Sequence, residues 1–365
     1  MSPRAIPLVD LAAEYALVRE EVRASFDGIL DSMRLILGPH VQAFESEFAG
    51  YLGAKHAIGV GSGTDALLLS LKAVGVGPRD EVVTTPFTFF ATSEAVLHAG
   101  AVPVYADVDP QTGLLDPSDV RRRLPPRTKA ILPVHIFGQS ADLDPLLAIC
   151  RERGLALVED AAQAHGASYR GRRVGTIGDA GTFSFYPSKN LSAFGEAGLV
   201  STNDDAVAGT LRSLRDHGQG ARYEHDLVGF NARLDEIQAA VLRAKLRLLE
   251  AGNRRRREIA ARYRRLFKAP VRPLLERDWG EPVYHLFVVR VPDRDAVCAR
   301  LSEEKIGFGV HYAIPSHLQP ATRALGRGTA SLPNAEALAA EALSLPCHPF
   351  LSDEDVARVC QVVQG

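Results

Sequence analysis

Residues 181–190 read GTFSFYPSKN. Lys189 follows a strand-forming aromatic run and a Pro-Ser turn, and the small-residue loop LSAFGEAG follows it. Lysines avoid burial, so one aimed out of the end of a buried strand needs a reason. Desolvated, such an amine gives up its proton easily and becomes a nucleophile. Other chemistry-bearing residues stand at the ends of other apolar runs. LALVED (155–160) ends on Asp160, a carboxylate that is costly to bury unless a cation or a donor meets it. Gln163 and His165 follow in AAQAHGA. HAIGVG (56–61) leads into GSGTDAL, where glycines allow close backbone approach and Thr64 and Asp65 start a helix. A helix start with free N–H groups suits an anion, most simply a phosphate. EVVTT (81–85) leads into PFTFF, which places Phe89 and Phe90 just inside a helix as a flat wall for a planar ring. Each feature has an ordinary alternative: a surface lysine, helix caps at Asp160 and at Ser62 or Thr64, and core packing for the two rings.

One ligand uses all four: pyridoxal 5'-phosphate. Its phosphate fits the helix start and its ring fits the phenylalanine. Its cationic ring nitrogen fits the buried carboxylate, and its aldehyde fits the lysine. In open α/β sheets ligands collect at the carboxyl ends of the strands, where these residues lie.

The elements that must position them read as alternating strands and helices. Strands are expected at 56–61, 81–85, 103–109, 129–135, 155–160, 182–187 and 198–203. Helices are expected after Thr64, over 88–100, and from near Pro117 and Asp142. Such alternation predicts an α/β fold with a large, mostly parallel sheet. Past Asn203 the pattern changes to one long helix over 232–268, then VYHLFVVRV (283–291) and a terminal helix near 352–363. This predicts a smaller C-terminal α+β domain, with large-domain residues 1–250 and small-domain residues 251–365. Arg254–Arg257 are expected on a solvated helix face, because no aromatic platform interleaves them.

The bulk properties exclude several classes. The chain has 365 residues, 46% hydrophobic and 24% charged, with a net charge of −2. Nothing in that balance draws it to nucleic acid. The four cysteines lie far apart, so neither a metal site nor a disulfide framework is expected, and a reducing compartment fits. No signal peptide is recognised and no run approaches the roughly 20 apolar residues of a membrane span, so a cytoplasmic location is expected.

The stretches GPHVQAFESEFAGYLGAKHAIGVGSGTDAL, VEDAAQAHGA, FSFYPSKNLSAFGEAG, GFNARLDEIQAA and HYAIPSHLQ run nearly end to end. In them the chain resembles the DegT/StrS-type, pyridoxal-phosphate-dependent nucleotide-sugar aminotransferases. Those have the aspartate-aminotransferase-like fold (PLP fold type I). By that resemblance Lys189 binds the cofactor covalently and shuttles the substrate proton. Asp160 pairs with the ring nitrogen, Gln163 lies near the ring hydroxyl and Phe89 stacks on the ring. Gly63, Thr64 and Ser184 hold the phosphate, and Asn231 reaches the cofactor phosphate of a neighbouring subunit. The resemblance therefore implies a homodimer. It also implies L-glutamate as donor, a keto group on a nucleotide-linked sugar as acceptor, and pyridoxamine 5'-phosphate as the cofactor's alternate form. HYAIPSHLQ (311–319) points to C3 of the sugar, on a dTDP-3-oxo-deoxyhexose or a UDP-3-oxo-uronate, with His311, Tyr312 and His317 on the substrate side. C4 amination is the alternative. Such activities serve deoxyaminosugar biosynthesis, for an antibiotic or a polysaccharide. Ala313 in place of a common proline, and GEAG (195–198) in place of the usual GDGG, are departures that leave the acceptor open.

Four rival readings are weighed on the sequence alone. Dehydratase relatives carry histidine at the lysine position, which Lys189 argues against. An aromatising aminobenzoate-type synthase keeps the lysine. A cofactor-binding regulator without turnover needs a partner-binding segment, and none is visible. GSGTDAL lacks the Lys-Ser/Thr pair of a P-loop.

Overall fold

The structure is a computed structural model and describes residues 4–221, 223–325 and 331–365. Seven strands form the main sheet: β1 (His56–Val60), β2 (Glu81–Thr84), β3 (Val102–Tyr105), β4 (Thr128–Leu132), β5 (Ala156–Asp160), β6 (Ala180–Ser184) and β7 (Gly198–Thr202). Their order across the sheet is β1-β7-β6-β5-β4-β2-β3. Strands β6, β5, β4, β2 and β3 run parallel, whereas β7 is antiparallel to both its neighbours. The sheet is therefore mostly parallel, as its near-continuous apolar strands require.

Helices cover the sheet. α1 (Leu11–Ser32), α2 (Pro39–Leu52), α3 (Gly63–Ala73), α4 (Ala91–His98), α5 (Pro117–Arg123), α6 (Leu143–Arg153) and α7 (Asp205–Leu214) precede the pair α8 (Glu236–Leu246) and α9 (Leu249–Leu266). Phe44 and Phe48 of α2 meet Phe183 and Phe185 of the lysine-bearing segment edge-on, with centroids 5.2–5.5 Å apart. That aromatic block fixes the segment leading to Lys189 from beneath.

A second core lies beyond. Strands β8 (Arg272–Pro273), β9 (Phe287–Arg290) and β10 (Ala342–Leu345) form a small antiparallel sheet. Tyr263, Phe267 and Phe287 stack within it, and α10 (Arg294–Glu303) and a C-terminal helix, Asp353–Gln364, close it. Ile6 joins this second core through a bridge to Ile306. The N-terminal segment thus packs with the far end of the chain.

Three expectations need correction. The helix drawn over 88–100 begins only at Ala91, so Phe89 and Phe90 are not inside it. Thr85 Oγ1 accepts from the Phe87 N–H and holds the chain in a turn first. The single helix over 232–268 is two helices, because the Leu248 N–H bonds Lys245 O and tightens the chain between them. Arg254–Arg257 do not share one solvated face, since Arg256 is 7% exposed. A helix turns about 100° per residue, so four consecutive side chains cannot all face water beside a core.

Candidate active site

The strand ends converge on a cavity of about 430 Å³. It is lined by Gly63, Thr64, Phe89, Asp160, Gln163, Ser184 and Lys189, with His311 and Tyr312 on the opposite wall. Sequence order had spread these residues over 250 positions; β-strand adjacency collects them.

Lys189 leaves the end of β6 on a turn closed by its own N–H to Tyr186 O at 2.8 Å. The next residue anchors the turn. Asn190 Nδ2 donates to Asn253 Oδ1 at 3.0 Å and to Val283 O at 2.9 Å. The amine itself makes no hydrogen bond among the described residues. Burial pulls its pKa down to about 8, and the Asp160 carboxylate opposes that shift. At pH 7 about a tenth of the amine is therefore in the unprotonated, nucleophilic form.

Asp160 closes β5. Its Oδ2 accepts from Thr92 Oγ1 at 2.9 Å and its Oδ1 from the Ala162 N–H at 3.2 Å. It caps no helix. Burial raises its pKa, while these two donors and then Lys189 work the other way. A buried carboxylate with neutral donors and no contacting cation is set up to receive one.

The phosphate candidates meet at the start of α3. Ser62 is the N-cap, with its Oγ accepting from the Asp65 N–H at 3.0 Å. The N–H groups after it are left to face the cavity. A Cβ on Gly63 would lie 2.5 Å from Ser184 Cβ, so only glycine lets the helix start close on β6. Gln163 Oε1 accepts from the Phe137 N–H at 2.7 Å, and its Nε2 donates to Tyr312 Oη at 3.0 Å. Phe89 is 59% exposed over the cavity, with its ring 6.0 Å from that of Tyr312. These parts fit pyridoxal phosphate: a cationless helix start for the phosphate, an aromatic face for the ring, a carboxylate for its nitrogen and an amine for its aldehyde.

Two proposed residues stand apart. His317 is buried away from the cavity, with Nε2 3.2 Å from Glu336 Oε1 and its ring against Tyr105. Asn231 is exposed and bridges to Asp216, and this chain does not bring it to its own cavity. His165 lies buried against Phe183 and Phe185; burial first, then Lys189, holds it neutral with a pKa of about 3. Sequence reasoning missed Thr92, Tyr186, Glu196 and His285, which also line the cavity. A histidine interrupting the apolar run VYHLFVVRV was the one visible signal, for His285. Burial keeps it neutral, and its Nδ1 has no hydrogen-bond partner.

Among the described residues no helix is long and apolar enough to cross a membrane. None of their His, Cys, Asp and Glu side chains form a metal-holding group.

Several known proteins are similar to this chain over nearly its whole length. The chain is 44% identical to a dTDP-3-amino-3,4,6-trideoxy-alpha-D-glucose transaminase of Streptomyces venezuelae, covering 100% of this chain and 96% of that one. It is also 44% identical to a pleiotropic regulatory protein of Geobacillus stearothermophilus, covering 98% and 97%. It is 40% identical to a UDP-2-acetamido-2-deoxy-3-oxo-D-glucuronate aminotransferase of Pseudomonas aeruginosa, covering 97% and 98%. The structure of S. venezuelae DesV superposes with a TM-score of 0.96 at 43% identity, covering 99% and 98%. The Streptococcus pneumoniae protein Spr1654, solved in PLP and PMP forms, superposes with TM-scores of 0.86 and 0.87 at 27% identity. Each of those forms covers 93% of this chain, and 95% and 94% of Spr1654 respectively. The model of the DegT/DnrJ/EryC1/StrS aminotransferase family matches residues 17–364, and the chain belongs to that family.

Proposed function

We propose that this protein transfers an amino group from L-glutamate to the C3 keto carbon of a nucleotide-linked hexose, most simply a dTDP-3-oxo-deoxyhexose. It is an aminotransferase, and its cofactor is pyridoxal phosphate. The observation that carries the reading is Lys189 and Asp160 facing one cavity, with the Gly63–Ser184 cradle beside them. When bound, the cofactor supplies an electron sink for the carbon that loses its proton. Asp160 keeps that sink cationic. Lys189, once free, holds and moves the proton at the substrate carbon. Phe89 and Tyr312 stand together on the cavity wall, with their rings 6.0 Å apart.

C3 is supported by relatives whose names place the nitrogen there, on dTDP- and UDP-linked sugars alike. The charge of the wall favours a neutral sugar over a uronate. Among the described residues, Lys189 is the one lysine or arginine lining this cavity, and Glu196 stands at its edge. A sugar carboxylate would find no cation besides Lys189 among the described residues lining it. Asn231 is assigned to a partner subunit's phosphate, as its exposure on a loop permits.

The test begins with absorbance. The purified protein with pyridoxal phosphate should show a visible band that L-glutamate converts to the near-ultraviolet pyridoxamine form. The converted enzyme should then return to the first form with a dTDP-3-oxo sugar and not with a 4-oxo isomer. A band indifferent to glutamate would sink the donor assignment. Recovery with the 4-oxo sugar alone would sink C3.

A further inference from the structure

Asp160 is held from two directions. Its backbone is tied to the extension of β4: the Asp160 N–H donates to Pro133 O at 2.9 Å, and the His135 N–H donates to Asp160 O at 3.0 Å. Its side chain is met from farther across the sheet. β4 lies between β5 and β2, so the chain leaving β2 must pass the end of β4 to reach Asp160. That crossing brings up Thr92, in the first turn of α4, whose Oγ1 donates to Asp160 Oδ2 at 2.9 Å. Thr88 Oγ1 lies 3.0 Å from Thr92 Oγ1, and all three residues are buried.

The direction of these bonds follows from the proton count. An ionised carboxylate only accepts, and a hydroxyl has one proton to donate. Thr92 directs its proton to Asp160, so Thr88 is the donor at the second contact. Thr88 and Thr92 thus aim their hydroxyls in series at the carboxylate, and each bond polarises the next. The ordinary alternative for a helical threonine is a bond back to the carbonyl four residues earlier. Thr88 stands four residues before Thr92, but the contact is with its hydroxyl. The same pair brackets Phe89, and the Thr92 N–H bonds Phe89 O at 3.2 Å. The residue whose ring walls the cavity and the carboxylate are therefore parts of one hydrogen-bonded unit.

We infer that Thr92 is a positioning residue for the reaction, with Thr88 behind it: they hold the Asp160 carboxylate charged, in one orientation and in register with Phe89. The inference rests on the aminotransferase reading above and deepens it. Burial works against the charge on Asp160. The titratable groups that face it from other elements are Lys189 after β6, His135 after β4 and Tyr312. Its hydrogen-bond donors are the Ala162 N–H, at the longer distance of 3.2 Å, and the Thr92 hydroxyl. Thr92 is thus the donor that a side-chain substitution can remove while the backbone around Asp160 stays in place.

Thr92→Val keeps the branched shape and removes the donor, whereas Thr92→Ser keeps the donor. The first readout is the Asp160 carboxyl resonance, titrated by NMR in the cofactor-free full chain. Thr92→Val should move that titration to higher pH, and Thr92→Ser should return it most of the way to the wild type. The second readout is the glutamate half-reaction, followed by absorbance with pyridoxal phosphate bound. Thr92→Val should lower its limiting rate about 10-fold, the scale of one hydrogen bond to a charged group, with a smaller change in the half-saturating glutamate concentration. Thr88→Val should move both readouts in the same direction by less. Thr84→Val controls for the loss of a buried hydrogen bond as such. Thr84 Oγ1 donates to Leu132 O at 2.7 Å in the same sheet, and Thr84 does not line the cavity. That variant should lower the melting temperature and leave the titration and the limiting rate unchanged. An Asp160 titration or a limiting rate at the wild-type value in Thr92→Val would overturn the inference, as would a Thr92→Ser variant impaired as deeply as Thr92→Val. A wild-type band that ignores glutamate would instead overturn the donor reading, and the NMR titration would still decide the role of Thr92.

Discussion

Two lysines line a smaller cavity, of about 220 Å³, behind the Lys189 turn, and their surroundings divide them. Lys245 and Lys189 are both buried enough for burial to lower their proton affinity. Lys245 is saturated. Glu14 and Ser192 each hold its Nζ at 2.9 Å, and the ring of Phe194 lies 4.5 Å beneath it. Among the described residues the Lys189 amine makes no hydrogen bond and has only the field of Asp160. A buried amine whose partners are complete holds structure together. One whose partners are missing is stored reactivity, stabilised by the rest of the fold.

The largest break of this comparison removes the reactive amine. Lys189→Ala should lower turnover by at least about 10³-fold, the scale of a lost general base, and should leave the fold intact. Circular dichroism with single-turnover absorbance checks both halves. Residual turnover near that of the wild type would show that another group moves the proton. Asp160→Asn comes next, at about 10²–10³-fold in turnover, the scale of a lost preorganised electrostatic contact. It keeps an acceptor for Thr92 and loses the charge. Since Asp160 supports the charged form of Lys189, the lysine should titrate below about 8 in this variant. Titration of the cofactor-free protein by NMR reads that, and an unmoved lysine would remove the coupling.

The same contrast explains what the sequence made legible. Lys189, Asp160 and Gly63 were visible because each violates a local rule: a cation at the end of a buried strand, a carboxylate ending an apolar run, a glycine opening a helix. The mostly parallel character of the sheet followed from the βαβ pattern, but its strand order did not, and nothing in GLVST marks β7 as antiparallel. Thr92 was not visible, because a threonine in a helix breaks no rule until a carboxylate is placed beside it. Arg256 was hidden inside a run of four arginines, which reads as a solvated face until a core is packed on one side. His317 misled for the opposite reason. It stands in a motif with His311 and Tyr312, yet the chain turns through Ser316–Leu318 and buries it against Glu336.

The unmatched lysine also has a thermodynamic signature. Its pKa is about 8 in the folded, cofactor-free protein against an ordinary 10.5. Between those values the unfolded chain binds more protons, so stability rises with pH across that window. Below pH 8 both states are protonated and the cost of burying the ammonium acts in full. Cofactor-free Lys189→Met should therefore exceed the wild type by up to roughly 3 kcal/mol near pH 7. The gap should close as pH approaches 10.5. Urea midpoints at several pH values measure it, and a gap flat across the window would mean the amine is solvated.

The matched lysine should answer in the reverse sense. Lys245→Met leaves Glu14 unpaired beside an apolar wall and takes the cation from the face of Phe194. Glu14 keeps some access to water, so the cost falls below that of a fully buried broken pair, at about 2 kcal/mol. The sign is fixed by which partner remains. A neutral methionine fits the space, but the carboxylate it abandons does not. Melting temperature should fall by several degrees, and turnover should change far less than for Lys189→Ala. Ser192 is the route by which the effect would spread, because its loop carries Phe194, whose N–H donates to Gln238 Oε1 at 2.8 Å. If Lys245→Met lowered turnover as deeply as Lys189→Ala with the melting temperature unmoved, then matching of partners would not separate structural from reactive amines here.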